Sequence, residues 1–386
     1  MEDGTTRPPV DHLGQAPKRM RRGMMIATIS APIHTTVSWT YPNSLPFLLT
    51  YLDIHETMLK DTIRTDTYRD FIYNHKSLFA GKTVLDVGCG TGILSMFCAK
   101  AGAARVIAVD NSAIIDKARE NIFNNGFAET ITCLRGKIEE VSLPVHKVDI
   151  IVSEWMGYCL LYEAMLDSVI WARDKYLKPD GLMVPSHMNM WVAPVADPDY
   201  IADHIAFWRD VYGFDMKAMQ AGIHEDAQVL DMPASAVCAK PFPFLQLSLH
   251  TTTVKDLVFK RKWQANLSQD IDALDGFIIW FDTFFMPSRE DKVPEDAKAE
   301  EWAKADSGKK GVAFTTGPKG KITHWKQAVM LIDNTKEKVA SRKAGEVVSG
   351  ELEYAVPEDN SRALNVGFKW KFDSEEKEYS QSWKMR

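Results

Sequence analysis

Thr83-Val-Leu-Asp86-Val-Gly88-Cys-Gly90-Thr-Gly92, followed one helical stretch later by Arg105-Val-Ile-Ala-Val-Asp110, decides how this chain is read. A β-branched run ends in a glycine-rich turn, the turn opens the helical pattern Ile93–Lys100, and a second β-branched run ends in a carboxylate. β-branched residues favour strands, and glycines let a backbone turn tightly and approach a ligand. The alternation continues with a helical pattern over Ile114–Asn124, strands over Thr130–Leu134 and Val148–Ser153, and a fifth strand at Leu182–Val184 after Pro179-Asp180-Gly181. Strands alternating with helices imply βαβ units and a mostly parallel, doubly wound α/β sheet.

Beyond about Pro185 the pattern changes. Met188–Val195 reads as a strand and Asp199–Asp215 as a helix rich in large apolar residues. Short strands follow at Leu245–His250, Leu257–Trp263, Gly276–Phe285, Gln327–Leu331 and Ala363–Phe368, the grammar of a barrel or sandwich. Arg289–Lys310 is strongly charged and reads as a solvated surface insertion, helical in part. Upstream, Asp53–Lys60 reads as a helix start, with Asp53 as N-cap and Glu56 in the capping-box position, and helical pattern runs on toward Phe79. Residues 1–50 show neither period and read as a poorly ordered or atypical leader. Its basic cluster, Lys18-Arg19-Met20-Arg21-Arg22, reads as a solvated charge run, and the apolar stretch behind it is broken by Thr28, Ser30, Pro32 and His34, unlike a secretory signal. The division expected is 1–50, 51–185 and 186–386.

Composition narrows the classes. Over 386 residues, 45% hydrophobic and 25% charged content excludes a disordered, fibrous or collagen-like chain. A net charge of −6 argues against capture of nucleic acid by the whole molecule and favours basic partners. Cys89, Cys98, Cys133, Cys159 and Cys238 are scattered without a CxxC pair, so neither a disulfide framework nor a metal site is expected, only buried thiols in a reducing compartment. No apolar run reaches the roughly 18–20 residues that span a bilayer, so no membrane partner is expected.

The glycine turn has the spacing GxGxG, not the GxGxxG that seats a pyrophosphate on a helix N-terminus. Asp86, two residues before the first glycine, would repel a phosphate but suit an ammonium group. Asp110 ends the second strand 22 residues after Gly88, placed to accept ribose hydroxyls. An adenosine ligand with a cationic amino-acid tail fits these residues, which describes S-adenosyl-L-methionine. Further on, Ser153-Glu154-Trp-Met156-Gly-Tyr-Cys-Leu-Leu-Tyr-Glu163-Ala-Met165 follows a strand directly. Its two glutamates would face one pocket if the loop doubles back at Gly157, and the apolar residues between would deny both carboxylates full solvation. Two such anions are costly together unless they share a cation. A guanidinium, planar and permanently charged with five donors, is the matching one.

DIHETMLKDTIRT (Asp53–Thr65), VLDVGCGTG (Val84–Gly92), VIAVD (Val106–Asp110), SEWMGYCLLYE (Ser153–Glu163) and Thr323-His324-Trp325 carry a resemblance. From Tyr51 to the C-terminus the chain resembles the type I protein arginine N-methyltransferases. That resemblance implies a Rossmann-like class I methyltransferase domain followed by a β-barrel-like domain with a helical dimerisation arm at about 199–225. Glu154 and Glu163 would hold the substrate guanidinium, His324 would pair with Asp61, and Met156 and Trp325 would shape the substrate pocket. Arg64 would bind the cofactor's carboxylate, Asp86 and Gly88 would lie near its methionine portion, Asp110 would take the ribose and Glu139 would lie by the adenine, with Gly90 and Ile138 also cofactor-binding. Asp110 stands where the family commonly has Glu. His55 and Met58 would line the pocket from a helix, and Met58 with Met165 would narrow it, which in this family goes with asymmetric dimethylation.

Monomethyl and asymmetric dimethyl arginine in Arg/Gly-rich proteins would be the products, made by a homodimer in the cytoplasm, with the nucleus a second location. Either a glutamate or the His324–Asp61 pair would receive the proton. One stretch departs from the family: its YFxxY tyrosines are replaced by Leu45-Pro46-Phe47-Leu48-Leu49, with the first tyrosine at Tyr51. Pro46 disfavours continuous helix there. A second reading is therefore a catalytically impaired, dimerising binding protein; a small-molecule methyltransferase would leave the paired glutamates unexplained.

Overall fold

A computed structural model describes residues 45–302, 311–335 and 340–386. The basic cluster, most of the expected leader and the end of the charged insertion lie outside them. α1 runs unbroken over Leu45–Lys60, so Asp53 is mid-helix and caps nothing, and Pro46 falls in the first turn, where a missing N–H removes no helical bond. The working N-cap is Asp61, which leaves the helical region (φ −69°, ψ 91°) and accepts from Arg64 N at 3.1 Å, starting α2, Thr62–Asn74. α2 buries Arg64, Tyr68, Phe71 and Ile72, a stripe at helical spacing. α3 is Lys76–Phe79.

The alternation then unfolds as expected: β1 Thr83–Val87, α4 Ile93–Lys100, β2 Arg105–Asp110, α5 Ile114–Asn124, β3 Ile131–Arg135, β4 Val148–Val152, α6 Met165–Tyr176 and β5 Leu177–Val184. The five strands form one parallel sheet in the order β3-β2-β1-β4-β5. The order reverses between β1 and β4, so the loops leaving their carboxyl ends, the glycine turn and the two-glutamate loop, flank the crevice where such sheets bind ligands.

The barrel-like expectation resolves into two antiparallel sheets. β6 (His187–Val195) follows directly, and α7 (Pro198–Tyr200) opens the segment expected to be one helix. That segment passes instead through a wider turn at Ile201–Ile205 and a tighter one at Ala206–Arg209, then stops. Asp210 accepts from Gly213 N at 2.9 Å in a turn with Tyr212 and Gly213 at positive φ, which a helix cannot continue through. β7 (Gln228–Leu230), β8 (Phe242–Ser248), β9 (Phe259–Asn266) and β10 (Gly276–Phe285) come next. α8 (Ala299–Trp302), β11 (Val312–Thr315), β12 (Gln327–Leu331), β13 (Val347–Ala355), β14 (Leu364–Phe372) and β15 (Tyr379–Met385) complete the described chain. β7-β12-β10-β6-β8 make one sheet, with β11 on β10, and β15-β14-β13-β9 the other.

An aromatic cluster joins the sheets: Phe277 stacks on Phe368 at 4.3 Å and 5°, with Trp263 and Trp370 edge-on. The same continuous core reaches the α/β sheet, where Tyr68 of α2 meets Phe285 of β10 edge-on at 4.7 Å. The charged insertion is not simply a solvated face. Val293, Ala297, Ala299 and Trp302 are buried with Phe284, and Ala299 N donates to the buried Asp282 carboxylate at 2.9 Å.

Candidate active site

A cavity of about 490 Å³ opens at the β1–β4 crevice. The glycine turn forms one wall, α1 a second, and the two-glutamate loop with His324 and Trp325 a third. Gly88 has φ +74°, the left-handed backbone that favours glycine, and a Cβ there would come 2.1 Å from Met165 Cε, so the methionine's end would have to shift. Asp110 is fixed against the wall: Oδ2 accepts from Gly90 N at 2.9 Å, and Oδ1 accepts from Ser112 N at 2.8 Å and Ser112 Oγ at 2.6 Å. His55 and Met58 line the cavity from α1. Burial pulls the His55 imidazole below its ordinary value, with Asp110 opposing the shift.

The opposite wall is built on buried charge. Arg64, carried inward on the apolar stripe of α2, donates Nε to Glu154 Oε2 at 2.8 Å, with Nη2 at 2.7 Å from the same oxygen. Its Nη1 donates to Met58 O (3.3 Å) and Thr65 Oγ1 (3.2 Å). Four of the five N–H donors are thereby committed among the described residues, leaving one on Nη2 to face a ligand carboxylate. Arg64 is the buried counter-ion of Glu154, since a buried cation must be paired.

Asp61 holds two elements together. Besides capping α2, its Oδ2 accepts from His324 N at 2.8 Å and from His324 Nδ1 at 2.7 Å. Burial alone would raise the Asp61 carboxyl, but the His324 ring and the backbone N–H groups of His324 and Arg64 outweigh it and hold it below its usual range. A carboxylate at Nδ1 fixes the proton there and leaves Nε2 as the basic nitrogen. Trp325 donates Nε1 to Met156 O at 2.7 Å, locking the base of the two-glutamate loop.

Asp86, Ile138 and Glu139 stand apart from the cavity wall, and Glu163 stands on it partly solvated. Asp86 is fully buried behind the glycine turn and does not line the cavity; Ser95 Oγ donates to its Oδ2 at 2.6 Å, and burial lifts its carboxyl to about 7 despite that bond. It ties β1 to α4. Glu163 reaches the cavity wall with its side chain 52% exposed and 3.7 Å from the Arg362 guanidinium, so it is partly solvated where Glu154 is shielded from water. Ile138 and Glu139 lie outside the cavity, Ile138 in the core and Glu139 exposed, accepting from Ser168 Oγ at 2.5 Å.

Tyr68 was not anticipated. It is fully buried and donates to Ser153 O at 2.9 Å, steadying the strand end from which Glu154 emerges. Its place four residues after Arg64 on one helical stripe was the available signal. Cys89, Thr91 and Tyr158 also line the cavity. All five cysteines are free thiols.

The residues suit an S-adenosyl cofactor: a glycine cradle that a Cβ would fill, a fixed carboxylate for hydroxyls, and a buried guanidinium with a donor to spare. Residues 84–181 match the family described as a methyltransferase domain, and residues 186–375 the arginine methyltransferase oligomerization subdomain. The chain is 45% identical over 318 residues to the ribosomal protein arginine N-methyltransferase rmt3 of Schizosaccharomyces pombe, covering 82% of this chain but 56% of that protein's length. It is 41% identical over 321 residues to protein arginine N-methyltransferase 1 of Saccharomyces cerevisiae, covering 83% of this chain and 86% of that one. Among solved structures, the Trypanosoma brucei PRMT1 enzyme-prozyme heterotetrameric complex with AdoHcy superposes with a TM-score of 0.75 at 34% identity, covering 87% of this chain and all of that one. With the glycine turn, the glutamate pair and the Asp61–His324 contact on one cavity, this chain belongs to the protein arginine N-methyltransferase family.

Proposed function

We propose that the chain methylates arginine guanidinium nitrogens in flexible Arg/Gly-rich proteins and ends at asymmetric dimethyl arginine, with Glu154 and Glu163 holding the guanidinium. One observation carries this reading: Glu154, Glu163, His324 and Trp325 line the same cavity as Gly88, Gly90 and Asp110. S-adenosyl-L-methionine is the cofactor, and when bound it supplies an electrophilic sulfonium methyl.

A guanidinium is a poor nucleophile because its lone pair is delocalised and the group stays protonated, so these residues must work through positioning and electrostatics. Both Arg64 contacts fall on Glu154 Oε2, which leaves Oε1 for a substrate N–H. Glu163, less shielded, faces the other end of the guanidinium after Arg362 gives way. Drawing positive charge toward the carboxylates raises the electron density of the attacking nitrogen. The proton released goes to a glutamate or to Nε2 of His324, whose orientation Asp61 fixes. Met58 and Met165 both line the cavity, which supports the asymmetric product if they restrict how the methylated guanidinium turns.

Assembly rests on the β-rich half, which matches an oligomerization subdomain. A homodimer through the arm is supported by Phe207, Tyr212 and Phe214, which are 48%, 97% and 69% exposed. The impaired, purely binding alternative has no supporting observation: the departing stretch forms helix α1, and the catalytic set is present. Incubating the chain with labelled S-adenosyl-L-methionine and an Arg-Gly-rich protein, then resolving the methylated arginines by mass analysis, tests the reading. Asymmetric dimethyl arginine is expected; symmetric product would remove the proposed regiochemistry, and unlabelled arginine the activity.

A further inference from the structure

The loop between the two glutamates has an unusual backbone. Six non-glycine residues of the described chain have positive φ, and four belong to this loop or its end: Cys159 (54°), Leu160 (66°), Glu163 (79°) and Ala164 (56°). Such conformations persist only where surrounding structure holds them. Within the loop, Gly157 N donates to Leu160 O at 3.0 Å, and the chain folds back so closely that a Cβ on Gly157 would lie 1.9 Å from Tyr162 O.

Two further restraints come from the β-rich half. Arg362 O, in the turn between β13 and β14, accepts from Glu163 N at 2.8 Å. Tyr354, on β13, places its Oη 2.7 Å from Cys159 Sγ and 3.5 Å from Cys159 O. Tyr354 is fully buried, and its ring stacks on Phe259 at 4.8 Å and 16°, so a rigid ring presents the hydroxyl. Packing would be satisfied by phenylalanine. The hydroxyl is therefore the part of Tyr354 that the core does not need, and it is spent on the residue where the loop first turns left-handed.

We propose that Tyr354 is a positioning residue for Glu163: its hydroxyl anchors Cys159, which holds the left-handed backbone that brings the second carboxylate to the cavity. This rests on the reading of Glu163 as a guanidinium ligand.

The test is a double-mutant cycle in the full chain with Y354F, C159A and the pair, reading kcat and KM for an Arg-Gly-rich peptide, Kd for S-adenosyl-L-homocysteine, and Tm. Removing one buried hydrogen bond should lower kcat/KM for the peptide about 3- to 10-fold in Y354F. The homocysteine Kd should stay within about twofold, because the glycine turn is untouched, and the pair should lose little more than the worse single variant. Wild-type kcat/KM in Y354F, or losses that multiply in the pair, would overturn the proposal. E163Q separates the two levels. If E163Q turns over normally, the guanidinium reading fails and takes this role with it; if E163Q is inactive while Y354F is normal, only the role of Tyr354 fails.

Discussion

Arg64 meets Glu154 through both Nε and Nη2, and both contacts end on one oxygen, Oε2, with the two side chains only 7% and 6% exposed. The pair explains how a carboxylate can stand in a buried wall before any substrate arrives. It also ties α2 to the loop that leaves β4 through one guanidinium. Breaking a buried pair by removing one partner strands the other charge, at a cost of about 3–5 kcal/mol. Arg64→Ala should lower stability by about that much in urea unfolding and weaken S-adenosyl-L-homocysteine binding; unchanged values for both would show that the pair carries neither load.

Asp61→Asn should uncouple orientation from fold. The amide can donate to Nδ1 and stabilise the other tautomer of His324, so kcat should fall about 100-fold, within the range for a misplaced acid-base group. A pH dependence accompanies it. The folded Asp61 carboxyl lies below its unfolded value, so its stabilisation is present above about pH 4 and is lost as pH falls through the folded value. The Asn variant should lack that acid limb, as Tm measured from pH 7 to pH 3 would reveal.

His187 and His250 carry a linkage of the same sign through a neutral group. Burial, the largest cause for both, holds each imidazole at about 4, assisted for His250 by Arg289, His187 and Arg173. Neutral imidazole is the folded form, so stability is retained above the unfolded value near 6.5 and lost progressively as pH drops toward 4. His250→Leu should flatten the decline in Tm between pH 6.5 and 4. An unchanged slope would remove His250 from that transition.

Gly88→Ala should weaken cofactor binding, since its backbone is left-handed and its Cβ would push aside Met165 Cε, 2.1 Å away. Pairing it with Met165→Ala relieves the clash but not the φ, so calorimetry should show partial recovery at most. Full recovery would mean that the turn adapts.

The parallel sheet was legible because its strands are short apolar runs closed by Gly or Asp, and β10 and β12 fell on their expected residues because every position in them is buried. β13 and β15 escaped notice because one face of each meets water: Ser349, Glu351 and Glu353 alternate with buried Val348, Leu352 and Tyr354, and Gly350 interrupts the run. Glu154, Glu163, His324 and Trp325 were legible as motifs and do meet on one cavity. The Arg64–Glu154 contact was not, since it spans 90 residues and depends on where α2 sets Arg64 against the loop after β4. Nor could a motif reveal that Asp86 turns inward while Glu163 stays half in water.

Phe214→Ser with Tyr212→Ser should yield monomers in light scattering if the arm joins two copies, and retained dimers would move the interface elsewhere.

The most direct measurement compares Glu154→Gln with the unaltered chain, recording methyl transfer to an Arg-Gly-rich peptide and S-adenosyl-L-homocysteine affinity on the same preparation. A neutral amide beside Arg64 keeps the shape of the wall but removes the charge that the guanidinium needs. Turnover should fall at least about 100-fold, with affinity changed by no more than a few-fold; methylation of the peptide at the unaltered rate would contradict the account.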